Sequence, residues 1–257
     1  MGDFGFNRPS NNNGDLSSYN NPKFNGSVSM GRNADSNVGV NSTAMGDNVE
    51  ASGESSHAEG CDTVAEGNYS HAEGSETMAV GITSHAEGDC SRALGNYSHA
   101  EGKNTIASGE NSHAEGLSVE ASGYCSHAEG GWTTASGNYS HAEGYHTIAS
   151  SESQHVQGEW NIEDTSTTYV HIVGNGIADD NRSNAHTLDW DGNAWYQGNV
   201  SVDGTPTNDN DLTTKKYVDE AVASVSANAV SMDYVEGLLA RIEALEKTIA
   251  DLTNNNE

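Results

Sequence analysis

The sequence predicts a mainly β protein: a parallel β-roll built from 14-residue coils, then a small β module, then a helical C-terminal stretch. Three observations predict it. The pentapeptide Ser56-His57-Ala58-Glu59-Gly60 starts again at Ser70, Ser84, Ser98, Ser112, Ser126 and Ser140, and a worn copy, Gln154-His155-Val156-Gln157-Gly158, closes the series on the same beat. Halfway through each repeat stands an echo of the form x-Ala-x-Gly, as in Val64-Ala65-Glu66-Gly67, so an Ala falls every 7 residues from Ala44 to Ala149. Near the C-terminus, Val235, Leu238, Ile242, Leu245, Ile249 and Leu252 are spaced 3-4-3-4-3, the seam of a coiled coil. A fixed short period is the mark of a solenoid, in which each coil packs only on its neighbours.

Composition agrees with a thin rod. Over 257 residues the hydrophobic fraction is 33%, aromatics are 7% and there are 29 glycines, which excludes a conventional large core. Low hydrophobicity with a net charge of -28 ordinarily means disorder, but the strict period overrules that and implies small residues buried in a line. The acidic balance argues against nucleic acid, whose phosphates require a cationic stripe, and against an anionic membrane surface. Divalent cations and basic or neutral partners remain open. No apolar run of about 18 residues occurs and none follows Met1, so neither membrane insertion nor a secretory signal is expected. Cys61, Cys90 and Cys125 fall at different phases of the repeat, so free, packed thiols are expected in place of a disulfide or metal knuckle.

Residues 1–26 lack periodicity and read as a flexible or attachment leader. The roll occupies 27–158. Strand alternation sends His57 and Glu59 to one face and Ser56, Ala58 and Gly60 to the other, which suits a roll so narrow that opposed strands nearly touch. At about 4.8 Å per coil, nine or so coils make a rod roughly 40 Å long. Such a roll has almost no core of its own, so its burial must be completed by neighbouring chains. Tyr69, Tyr97 and Tyr139 precede their His by two residues and are expected on the His face, at the edge of a subunit contact or as a stripe for glycans.

The first repeats run in a different dialect: Ser27-Val28-Ser29-Met30-Gly31 and Ser42-Thr43-Ala44-Met45-Gly46, then Ala51-Ser52-Gly53. These residues resemble the head repeats of trimeric autotransporter adhesins, whose coils read Ser-Val-Ala-Ile-Gly followed by an Ala-x-Gly half. The resemblance implies a left-handed parallel β-roll, one coil per repeat, with three chains about an axis. It also implies that His57 and Glu59 stand where that family carries inward-facing Val and Ile.

The candidate site is therefore the pair of rows formed by His57, His71, His85, His99, His113, His127 and His141 and by Glu59, Glu73, Glu87, Glu101, Glu115, Glu129 and Glu143. Three readings stay open. The rows form a structural imidazole–carboxylate ladder at the trimer interface, or a polar binding face turned to solvent, or a set of ligands for metal ions. No sequence spacing proves convergence on an ion, and no metal or cofactor is assigned.

Residues 159–205 read as a small β module. The register is expected to fail after His155, with Trp160 and Ile162 as the cap. Thr165 to Val173 reads as a strand ended by Gly174-Asn175-Gly176, and Asp191-Gly192 is a hairpin turn between Thr187-Leu188-Asp189-Trp190 and Ala194-Trp195-Tyr196-Gln197. Asp189 and Asp191 lack the further ligands and distal Glu of a calcium loop and read as a solvated turn. The stretch from His171 to Asp203 resembles a small β module near the C-termini of phage tail-fibre and appendage proteins. In 206–257, Asp211-Leu212-Thr213-Thr214-Lys215-Lys216-Tyr217-Val218-Asp219 looks like the short linker helix of phage tail proteins, with Thr213 or Thr214 as cap and an end near Val225. Ile at a with Leu at d favours two strands. However, Arg241-Ile242-Glu243-Ala244-Leu245-Glu246 resembles the motif of short trimeric coiled coils, with Arg241 reaching Glu246 of a neighbour.

No enzyme is expected. One identical His/Glu pair per turn lacks the asymmetric pocket a substrate needs, and Ser56, on the opposite strand face from His57, forms no dyad with it. Nucleophile elbow, P-loop and His-Glu-x-x-His motifs are absent. The expected function is a structural fibre or appendage of a phage tail, assembled in the host cytoplasm and located in the virion. Its expected partners are two further copies of the chain, other tail or baseplate proteins and a host-surface polysaccharide or protein. A bacterial trimeric surface adhesin and a purely structural tail spacer are the alternatives.

Overall fold

The computed structural model of the protein describes residues 28–32, 39–201, 206, 208, 215–228 and 231–254. The expected leader, 1–26, and the expected helix caps, Thr213 and Thr214, lie outside the described residues. The chain divides into two compact units, one ending at Gly198 and the other beginning at Asn199.

The first unit is a β-solenoid of about 10 coils of 14 residues. Its broad sheet stacks strands in parallel from Val28–Arg32 and Thr43–Ala51 through His57–Cys61 and its copies to His155–Glu159. The register is strict: His57 pairs with His71, Ala58 with Ala72, Glu59 with Glu73 and Gly60 with Gly74. A narrow second sheet pairs two-residue strands, such as Val64–Ala65 on Met78–Ala79 and Ile106–Ala107 on Glu120–Ala121.

The core is a double file of alanines. Ala58, Ala72, Ala86 and their successors from the broad sheet face Ala65, Ala79, Ala93 and theirs from the narrow sheet, all fully buried. Ser70 is buried too, its hydroxyl donating to Gly67 O at 2.6 Å, and the same bond recurs from Ser56, Ser84, Ser98, Ser112, Ser126 and Ser140. Thr63, Thr77, Thr105, Thr133 and Thr147 fill the matching inward place at the start of the narrow strand. Buried methyls of this size contribute only about 0.8 kcal/mol each, so parallel backbone bonds carry most of the order along the rod.

Every coil turns at two left-handed residues. In one coil these are Asp62 (φ 55°) and Tyr69 (φ 62°), whose N–H groups donate to Asp47 O at 2.9 Å and Glu54 O at 2.8 Å in the coil before. Side chains other than glycine disfavour this conformation, and the inter-coil bonds offset that cost. Gly60, at φ 117°, was expected on the inward face with Ala58 but is exposed. Its backbone leaves the strand conformation, ending the alternation, and a Cβ there would lie 2.0 Å from Gly74 O. Tyr69, Tyr97 and Tyr139 likewise do not share the His face, because a left-handed corner separates each from its strand; they project from the corners and are exposed. Cys61 and Cys125 are exposed at corners and not packed, and no disulfide joins the three thiols.

The expected loss of register after His155 does not occur there. Strand Tyr169–Asn175 continues the broad sheet, with His155 opposite His171 and Val156 opposite Ile172, a coil of 16 residues. The two additional residues sit in a loop organised by the buried Asp164, whose carboxylate accepts from Thr168 N and Tyr169 N, both at 2.8 Å, and from Ser166 N at 3.0 Å. That loop also delays the strand, expected from Thr165, until Tyr169. Two antiparallel strands, Asn184–Asp189 and Ala194–Tyr196, then add to the same sheet. Between them Gly192 adopts φ 85°, and Asp189 Oδ1 accepts from Asp191 N and Asn193 N at 3.0 and 2.8 Å.

The second unit holds helices α1 (Lys215–Asn228) and α2 (Met232–Asn254). Lys215 pairs with Asp219 and Lys216 with Glu220 along α1. On α2, Val235, Leu238, Ile242, Leu245, Ile249 and Leu252 are all exposed. Among the described residues, no helix is long and apolar enough to cross a membrane.

Candidate functional site

Broad-sheet strands place every His and Glu of the two rows on the sheet's outer face, because Ala58 and its equivalents occupy the inner one. Strict register then turns a sequence repeat into columns. From His57 to His155 the imidazoles stack face to face at 4.7–4.9 Å, with planes within 8° of parallel. The column continues with tilted contacts through His171 and His186 to Tyr196.

Six of the eight imidazoles from His57 to His155 face a carboxylate within 4.0 Å. His57 Nε2 lies 3.6 Å from Glu59, His71 Nε2 3.7 Å from Glu73 and His85 Nε2 3.9 Å from Glu87, within one strand. Other contacts step back one coil: His113 to Glu101 at 3.7 Å, His141 to Glu129 at 3.5 Å and His155 to Glu143 at 3.5 Å. The side chains themselves are about one-third exposed, yet every Nε2 from His57 to His155 is shielded from water and has no hydrogen-bond partner among the described residues.

The electrostatics of the rows are dominated by crowding. Burial first, then the neighbouring imidazoles, holds His71, His99 and His127 below the usual histidine range. Along the Glu row the carboxyls hydrogen-bond to one another and alternate. Sharing with Glu87 and Glu115 raises Glu101 to about 7, and Glu73 and Glu129 are also raised, chiefly by their bonds to Glu87 and Glu115. Glu87 and Glu115, accepting from those neighbours, are lowered. Raised and lowered carboxyls thus alternate from Glu73 to Glu129. Beside this row runs an open groove of about 980 Å³, lined by Glu59, Glu73, Glu87, Glu101 and Glu115 and the adjoining glycines.

Chemically, the face offers a repeating donor set without a pocket for one substrate. Ser56, buried and bonded to Gly53 O at 2.8 Å, forms no dyad with His57. The residues read as a helical seam, Val235, Leu238, Arg241, Ile242, Leu245, Glu246, Ile249 and Leu252, all lie on α2, in the second unit.

Several structural roles escape strand-pattern reasoning. Asn68, Asn96 and Asn138 each accept a backbone N–H from the corner one coil earlier, at 3.0–3.1 Å. The recurring Asn-Tyr doublet was their signal. At the end of the roll, fully buried Asn161 replaces the inward Thr, accepting from Ile148 N at 2.8 Å and donating to Ile148 O at 3.0 Å. Gln154 replaces the inward Ser and donates to Asp164 and Tyr169 O. Arg182 closes this end, donating to His146 O and Asn161 O while its guanidinium lies 5.1 Å from the Trp160 ring.

A narrow solenoid with an alanine core and one unvarying polar face makes the first unit a rod-like repeat domain. Residues 72–98 and 100–118 match the YadA head domain repeat, in two copies, and the solenoid fits a β-roll of the trimeric autotransporter adhesin head type. Repeats of this type are those of adhesin-like surface fibres; they are typically structural and non-enzymatic, and typically homotrimeric. Among curated proteins, none matches the chain.

Proposed function

We propose that the protein is a non-enzymatic, homotrimeric fibre of a phage tail that contributes to attachment at a host surface, with α2 clamping three chains in register. The observation that carries the fibre reading is the unbroken register of the His, Ala and Glu columns, which makes the first unit a rod with one repeating face. The tail assignment rests on the likeness of the segment from His171 to Asp203, and of that from Asp211 to Asp219, to phage tail proteins. A bacterial trimeric surface adhesin is supported equally by the head repeats.

An antibody against the roll decides between the two. Gold labelling of purified particles at the tail, with neutralisation of adsorption, is the expected result. Labelling of the bacterial envelope in cells that release no particles establishes the adhesin instead. Deletion of the roll that spares adsorption, with assembly intact, reduces the protein to a spacer.

A further inference from the structure

We infer that the paired rows bind divalent transition-metal ions of the Zn²⁺ class, each ion held by three imidazole and carboxylate ligands from adjacent coils. The donor sets lie within a single chain, so the inference is independent of the fibre reading. Three of them share one pattern: Glu73, His85 and Glu87; Glu87, His99 and Glu101; Glu129, His141 and Glu143. In each, the ligand atoms lie within 4.8 Å of one another.

Two separate observations point to a cation there. The Nε2 atoms of His85, His99 and His141 are shielded from water and lack any hydrogen-bond partner among the described residues. Two of them face carboxylate oxygens, His85 Nε2 at 3.9 Å from Glu87 and His141 Nε2 at 3.5 Å from Glu129. Those separations are too long for hydrogen bonds of ordinary strength. They match the chord between two ligands that each sit about 2.0–2.2 Å from a shared ion, at an angle of roughly 110–135°. The second observation is the packing of the Glu row, where Glu59, Glu73, Glu87, Glu101 and Glu115 from successive coils line one open groove in strict register. Among the described residues, the only ion-pair partners of this row are imidazoles.

Donor chemistry selects the ion. One nitrogen with two carboxylates suits Zn²⁺, Co²⁺ or Ni²⁺, whereas Mg²⁺ and Ca²⁺ prefer oxygen alone. A fourth group, His113, Glu115 and His127, contains two imidazoles. Their rings are 4.8 Å apart, so the two nitrogens must converge before both reach one ion. Because two of the four groups share Glu87, three ions per chain is the largest number that avoids competition.

The test uses the full chain, stripped with a chelator and titrated with Co²⁺ while the visible d–d absorption is followed. The expected result is about three Co²⁺ per chain with the enhanced absorption of a site holding nitrogen and fewer waters, displaced by Zn²⁺ and insensitive to a hundredfold excess of Mg²⁺. Glu87→Gln removes two overlapping sets and lowers the count from three to two; His85→Gln with His99→Gln and His141→Gln lowers it to one. Should the triple variant misfold, the single Glu87→Gln change and the wild-type spectrum still decide. The inference is overturned by the spectrum of aqueous Co²⁺ alone, by loss of binding in Mg²⁺, or by Glu87→Gln retaining all three ions.

Discussion

His99 and His113 lie face to face, their ring centroids 4.8 Å apart and their planes 1° from parallel. A proton on one ring would place its charge against the rings above and below, in a layer already short of water. Burial first, and then the charge of the neighbouring rings, keeps His71, His99 and His127 below the usual histidine range. Each should therefore titrate below 6.5 in a ring-proton NMR experiment, later than a histidine in the unfolded chain. A common value at or above 6.5 for these three would contradict the stacked, shielded column.

Stability should depend on pH in two opposed ways. As pH falls through 6.5 the unfolded chain takes up protons on His71, His99 and His127 before the folded chain does, so these groups remove stability. From about 7 down to 4.5 the raised Glu101 does the reverse, because the folded chain takes up protons first, and Glu73 and Glu129, also raised, act in the same sense above 4.5. Below 4.5 the lowered Glu87 and Glu115 lose the contribution they make when ionised. Thermal unfolding against pH should show a shallow profile between about 7 and 4.5 and a steep fall below it. A fall completed between 7 and 5 would mean that the imidazoles act alone and the carboxyls do not share protons.

Glu101→Gln isolates the carboxyl row. The amide keeps hydrogen-bonding capacity towards Glu87 and Glu115 but removes the charge that is unfavourable above about 7. With chelator present, the variant should be stabilised at pH 8 by about 1 kcal/mol once screening at a partly exposed site is allowed for, and unchanged near pH 5. Denaturant unfolding at the two pH values measures it; equal effects at both would show that charge is not the cause.

Coil spacing is tested by two neighbouring changes. A Cβ on Gly95 would lie 2.0 Å from Gly109 O and 2.5 Å from its carbonyl carbon, backbone that cannot step aside. Gly95→Ala should cost about 3 kcal/mol or more. Ser98→Ala loses only the buried bond to Gly95 O and should cost about 1 kcal/mol. Reversal of that order in equilibrium unfolding would refute close coil-to-coil approach at the glycine row.

Legibility in the sequence followed repetition. The coil, the inward Ala and Ser and the outward His and Glu were readable because one alternation recurs in every strand, and any slip would have exposed the whole alanine file. Gly60 and Tyr69 were misplaced because a left-handed residue resets which face a side chain takes, and alternation says nothing of backbone angles. Asn161, Gln154 and Asp164 were invisible for the opposite reason. Each acts once, satisfying backbone groups that the next coil would otherwise have satisfied, so no period announces it. The continuation of the sheet to His171 was hidden by the 16-residue spacing, which breaks the beat but not the pairing.

Assembly is the remaining test. The alanine file is too thin to hold the roll by burial alone, and α2 carries Ile242, Leu245 and Ile249 exposed along one heptad seam. If that seam joins three chains, sedimentation equilibrium should give three times the 27.0 kDa chain mass. Ile242→Asp with Leu245→Asp places two charges in the seam and should abolish the trimer at micromolar concentration. Arg241→Ala, which removes only the reach to Glu246 of a neighbour, should weaken assembly modestly or allow a second oligomeric state. Loss of the trimer should also slow refolding of the roll, because strands 14 residues apart must find register without a clamp. A stable, folded monomer of the double variant, with the far-ultraviolet spectrum and melting point of the parent, would show that the roll needs no partner. The case for a trimeric fibre would then fall back on the head repeats alone.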